Sequence, residues 1–160
     1  MSYTTSELNQ INKSRRHILD ILHHRGFDTD PWSEFTIDDI TSMSGANKSN
    51  AQSGMGAFDM LLESRDTSES SDRKKVYVRY QLTGAIRPVV LTDIVDDLFN
   101  IDQVLTDSDD LIIITKDDAN DTVTSTLTRL WHHDKKFVSI IGIQRLQFNI
   151  LKLIIQKKIC

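Results

Sequence analysis

The residues with the clearest chemical potential sit on either side of a polar loop. Asp59 and Glu63 stand four apart in "AFDMLLES", and Lys74 and Lys75 open "KKVYVRY". Metal-dependent phosphodiester cleavage in a core of this kind needs an acid on the first strand and an acid-x-Lys on the second. Even spacing puts Asp59 and Glu63 on one strand face. The second strand carries no acid, so the set is incomplete and these groups read as solvated strand ends. His23-His24 and His132-His133 suggest a metal only weakly, because adjacent helical residues point about 100° apart and useful pairs sit at i and i+4. Both pairs read as helix-end histidines that suit the negative end of the dipole. The single cysteine, Cys160, leaves neither a disulfide within the chain nor a C-x-x-C half-site. There is no G-x-S-x-G, Walker A or G-x-G-x-x-G motif, and the glycines of "SGMGAF" precede a strand rather than a helix. No catalytic residue, metal or cofactor is therefore expected.

Two charge features remain. Lys13, Arg16, His17 and His24 form a stripe on the first helix, with Arg15 and Arg25 beside it, and this is the densest positive patch. Such a stripe serves as a phosphate-contacting surface or as a solvated or acid-docked face. The larger feature is acidic: Asp93, Asp96, Asp97, Asp102, Asp107, Asp109 and Asp110. It reads as solvated helix and loop, or as a docking surface that avoids DNA. A net charge of −4 gives no bulk attraction to nucleic acid, so any DNA contact has to be local.

The elements that position these groups follow from periodicity. Leu8, Ile11, Ile18 and Leu22 predict a helix over residues 5–24, capped by Gly26. "DTDPW" predicts a restart with Asp30 as N-cap and Pro31 in the first turn, and Thr36 faces Asp39 in a second start. Residues 42–56 read as a flexible Ser/Gly/Asn loop. "AFDMLLES" and "KVYVRYQL" predict a hairpin, the second strand with one buried face (Val76, Val78, Tyr80, Leu82) and one wet face. Thr92 is the expected cap of a helix whose stripe is Ile94, Leu98, Ile101 and Leu105. "LIIIT" reads as a central parallel strand buried on both faces, followed by a helix over 120–131, a buried strand "KFVSII" and a last strand "RLQFNIL". The order predicts an α/β fold with helices on both sheet faces in one domain. Hydrophobic residues make up 39% and charged residues 26%, which fits a soluble domain. The N-terminal stretch lacks the apolar core of a secretory signal, and no run reaches the ~18–20 apolar residues of a membrane span. An intracellular chain without a membrane partner is expected.

Taken in order, these segments resemble one family: the jaw subunit of eukaryotic-type DNA-directed RNA polymerases, the fifth subunit shared by the nuclear enzymes. "INKSRRHILDILHHRGFD" resembles its opening helix and turn. "AFDMLLES" with "KVYVRY" resembles its first hairpin, "LTDIVDDLFNIDQVLTDSDDLIIIT" its helix and buried strand, and "LQFNIL" the strand before its domain link. The resemblance covers roughly residues 5–152. It implies a three-layer sandwich with a mixed central sheet and restriction-endonuclease-like topology, without catalysis. Residues 1–152 would be the jaw domain and 153–160 a non-matching tail, with the C-terminal assembly domain absent. It further implies packing on the largest polymerase subunit beside downstream double-stranded DNA, without obligate homo-oligomerisation. The location would be the nucleus, or the viral factory or virion of a large DNA virus. In the family the loop after the buried strand approaches DNA. Here it reads "TKDDANDT", so Lys116, Asn120 and Thr122 are the implied DNA-proximal residues, while Asp117, Asp118 and Asp121 depart from the pattern and oppose phosphate. The rival readings are a nuclease-like domain, active or degenerate, and an acidic protein-interaction module.

Overall fold

The structure is a computed structural model that describes residues 3–34, 38–39, 58–65, 74–82 and 86–148. The predicted loop at 42–56, the helix start at Thr36 and the chain beyond Phe148 lie outside these residues. Helix α1 spans Thr5–His24. Thr4 and Glu7 close a capping box, the Thr4 amide donating to the Glu7 carboxylate (2.7 Å) and the Glu7 amide to the Thr4 hydroxyl (3.2 Å). At the other end Gly26 takes a left-handed φ of 96°. Its amide donates to the His23 carbonyl, and the Phe27 amide donates to that of Leu22. This is a Schellman stop, and it favours glycine because a Cβ disfavours that φ.

Strands β1 (Met60–Glu63), β2 (Lys75–Gln81), β3 (Asp110–Thr115) and β4 (Phe137–Gly142) form one sheet in the order 1-2-3-4. β1 runs antiparallel to β2, while β2, β3 and β4 run parallel. The parallel strands are joined through α2 (Pro88–Asp96) and α3 (Asp121–Asp134). On one sheet face α1 packs Ile11, Ile18 and Leu22 against Met60, Leu62, Val76, Val78, Ile112 and Ile114. On the other, α2 and α3 pack Leu91, Ile94, Val123 and Leu130 against Tyr77, Leu111 and Ile113. The fold is thus α/β with a mixed four-stranded sheet between helical layers, and all six β3 residues are buried as expected for a central strand. Each of its Leu and Ile side chains contributes roughly 1.5–3 kcal/mol by leaving water.

Several sequence expectations fail for reasons of packing. β2 has no wet face over its first half: Tyr77 is as buried as Val76 and Val78, because α2 and α3 cover the side opposite α1. β4 lies at the sheet edge and is only half-buried for most of its length. Arg145–Gln147, the start of "RLQFNIL", belong to a 3-10 turn over Ile143–Gln147 packed on α1 rather than to a strand, and residues 149–151 of that stretch lie outside the described residues. Asp30–Trp32 is a 3-10 turn whose N-cap position is Thr29. Thr92 lies inside α2, donating to the Pro88 carbonyl (2.8 Å), and Arg87 is the cap residue. Asp97–Ile101 is a π-helical turn. Its extra residue shifts the helical phase, so Phe99 turns inward and Ile101 is left 65% exposed.

Candidate functional site

The chain leaves β3 and β4 in opposite directions. After Thr115 it turns through residues 116–120 into α3 on one face; after Gly142 it enters the 143–147 turn on the α1 face. Neighbouring parallel strands whose exits diverge leave a crevice at their carboxyl ends, the usual ligand position of open α/β sheets. Lys116, Asp117 and Asp118 follow β3 at this edge, and Gln144 and Arg145 follow β4. A salt bridge joins the two exits: Arg145 Nε donates to Asp118 Oδ1 (2.9 Å) and Nη2 to Oδ2 (3.1 Å). Both side chains are exposed. The Arg145 hydrogen bond, above all, holds the Asp118 carboxyl below the usual carboxylate range, with further help from the Gly142 amide. The Asp118 carboxylate lies close over Gly142: a Cβ there would stand 2.5 Å from Oδ1, so a larger residue would push this carboxylate aside. The Thr115 hydroxyl donates to the Asp117 carbonyl and tightens the same turn. Beside the crevice lies a cavity of about 110 Å³ lined by Tyr3, Gln10, Leu82, Lys116, Ile143 and Gln144, among others.

The implied DNA-proximal residues occupy this edge in different ways. Lys116 is exposed and, among the described residues, makes no ion pair. Asn120 is the N-cap of α3, its Oδ1 accepting from the Val123 amide (3.0 Å), which leaves its side-chain amide nitrogen as its donor toward a ligand. Thr122 is exposed in the first turn of α3. In the basic stripe, Lys13, Arg16 and His24 are exposed, but His17 is half-buried and donates from Nδ1 to the Leu146 carbonyl. Gln10 and His24 are separated by about 21 Å along the helix axis. The far end of the stripe therefore belongs to a different region from Lys116.

A buried polar cluster links α1 with the start of β1 and with β2, and the sequence reading missed it. Arg15, placed beside the basic patch, is 1% exposed, and its Nη1 donates to the Phe58 carbonyl (2.5 Å). Asp59, read as a solvated strand end, is 3% exposed and accepts from the Tyr77 hydroxyl and the Tyr80 amide, both at 2.9 Å. Ser14 donates to the Ile11 carbonyl (2.7 Å), so the Tyr80 hydroxyl donates to Ser14 Oγ (2.8 Å). Burial first, then the Asp59 charge, pushes Tyr77 well above the usual phenol range; burial does the same to Tyr80. Burial lowers Arg15, opposed by Tyr80 and Asp59. The signal was present: Ile11, Arg15, Ile18 and Leu22 follow the helical spacing of the core stripe. Other candidates also have structural partners. Lys74 pairs with Asp110 (3.2 Å), the Lys75 amide donates to Asp109 (2.7 Å), and Lys136 pairs with Asp107. Asp109 and Asp110 are buried, so they are not part of a solvated acidic face. Asp93, Asp96, Asp97 and Asp102 are exposed. Glu63 is exposed at the end of β1, while Asp59, one residue before β1, is enclosed, so the two carboxylates differ in access. Among the described residues no three His, Cys, Asp or Glu side chains converge on a possible metal position. No known protein family matches the chain, and neither does any curated protein.

Proposed function

We propose that this chain is a non-catalytic jaw-type domain of a eukaryotic-type DNA-directed RNA polymerase, lying beside downstream duplex DNA and packing on the largest subunit. The observation that carries the reading is the state of the crevice loop. Its three aspartates counted against phosphate binding, yet Arg145 neutralises Asp118, while Lys116 stands exposed two residues earlier. The loop therefore offers a cation to a phosphate backbone with less opposing charge than its sequence implies. The nuclease-like alternative is weakened by Asp59, whose oxygens serve Tyr77 and Tyr80 and which is shut from solvent. Holding a cation would require it to surrender those bonds.

Co-purification with the largest polymerase subunit tests the assignment, and failure to associate overturns it. Within the assembled enzyme, Lys116→Glu is expected to weaken downstream DNA crosslinking without sequence preference, since phosphate contacts carry no base information. An unchanged crosslink removes Lys116 from the interface. Incubation with DNA and magnesium or manganese separates the enzymatic reading: metal-dependent cleavage lost in an Asp59→Asn variant that circular dichroism shows to be folded would refute the non-catalytic one.

A further inference from the structure

We infer that the cavity beside the outer edge of β1 is a docking pocket for an arginine or lysine side chain carried on an extended segment of a partner protein. This goes beyond the proposed function and does not depend on it, since β1 lies at the sheet edge and Lys116 follows β3, two strands away. The cavity measures about 410 Å³. That falls within the ~300–1,000 Å³ of pockets that hold a ligand.

An interrupted strand pairing creates this space. Gly26–Asp28 begins to pair with the end of β1: the Arg65 amide donates to the Gly26 carbonyl and the Asp28 amide to the Glu63 carbonyl, both at 2.8 Å. The chain then leaves in the 3-10 turn Asp30–Trp32, and Trp32 Nε1 reaches back to the Leu61 carbonyl (3.2 Å). In an antiparallel strand the amide and carbonyl of one residue point to the same side. The amides of Leu61 and Glu63 therefore face outward with their carbonyls, and neither meets an acceptor among the described residues.

The lining selects the occupant. Asp28 and Glu63 both border the cavity, and neither makes an ion pair among the described residues. Asp28 Oδ1 accepts from the Asp30 amide (3.1 Å), which fixes the carboxylate in place without neutralising it. Arg65 also borders the cavity, but its Nη2 donates to the His23 carbonyl (2.8 Å) at the carboxyl end of α1, where a positive charge is favoured. Pro31, Trp32, Leu61 and Leu62 supply an apolar wall for the methylene stem of a long cationic side chain. The backbone carbonyl of the same residue is the acceptor that the Glu63 amide lacks. That second contact favours a basic residue within a peptide over a free polyamine.

The test uses the full chain and a short fluorescent peptide, capped at both ends, with a central arginine between valines. The same peptide with citrulline, an uncharged isostere, is the comparison. The arginine peptide is expected to bind saturably and more tightly. Glu63→Gln and Asp28→Asn are each expected to weaken it by about two- to five-fold and to leave the citrulline peptide unchanged. Asparagine keeps the oxygen that accepts from the Asp30 amide, so the turn survives. Asp93→Asn, on the exposed side of α2, is the control for net charge and should leave the affinity unchanged. Hydrogen exchange followed by nuclear magnetic resonance should slow at the Glu63 amide when the arginine peptide is bound. Equal binding of the two peptides overturns the proposal, as does the absence of saturable binding. So does an unaltered Glu63 amide, or a loss in Asp93→Asn as large as in Glu63→Gln, since the attraction would then be bulk charge. Circular dichroism checks that the variants stay folded.

Discussion

Replacing Asp59 with alanine should unfold much of this protein's stability margin. The carboxylate accepts from the Tyr77 hydroxyl and the Tyr80 amide, and lies in the electrostatic field of the buried Arg15. Alanine leaves two donors without that acceptor, each costing about 1–3 kcal/mol when buried. It also removes a negative charge facing a guanidinium that is 1% exposed. Breaking a buried charged arrangement from one side costs about 3–5 kcal/mol, a figure that already contains most of the orphaned hydrogen bonds. The expected loss is therefore about 3–5 kcal/mol, against a total of roughly 5–15 kcal/mol for a typical domain. At this chain length that lowers the melting temperature by roughly 6–20 °C. Asp59→Asn should cost less, since its shape and one acceptor oxygen survive. Urea unfolding followed by circular dichroism measures both. A loss below about 1 kcal/mol for Asp59→Ala would refute the argument. An acid kept for metal chemistry would show the opposite sign, because its removal relieves repulsion in a site held under strain.

Two further outcomes follow from the same contacts. The chain has three tyrosines, and all three are shifted upward: burial is the leading cause at Tyr3, Tyr77 and Tyr80, with Glu7 adding to Tyr3. The fold favours the neutral phenol, so this stabilisation is complete below the unfolded value of about 10 and is lost as pH rises through the folded values. Tyr77 and Tyr80 should give no tyrosinate absorbance near that pH while the protein is native, and their ionisation should accompany unfolding; ionisation of all three tyrosines near pH 10 with intact circular dichroism contradicts the burial. Asn120→Ala should cost about 0.5–2 kcal/mol by uncapping α3, while Asn120→Ser should recover most of it. Equal stability of the two variants in urea would show that Asn120 does not cap.

Much of the framework was legible because it depends on local periodicity. The bounds of α1, its glycine stop, the buried run Leu111–Thr115 and the helix after Asn120 are each written in spacing that one element sets for itself. The alternation of strands and helices was enough to place helices on both faces of the sheet. Chemistry was less legible. Arg15 occupies a core position of its own helix, but residue type outweighed spacing when it was read as surface charge. Ile101 was assigned inward because a period of 3.6 was assumed across a π-helical turn.

What the sequence determined by itself is the order of elements, the apolar stripe of α1 and the central place of β3, since each follows from which residues recur at which interval. Tertiary structure alone decided the rest. Tyr77 is enclosed because α2 and α3 lie over it, and nothing within β2 announces that cover. Arg15 and Asp59 come within electrostatic reach across 44 positions, and Arg145 meets Asp118 across 27. Such pairs are set by where the sheet brings distant turns, so a pattern read along the chain holds the residues but not their meeting.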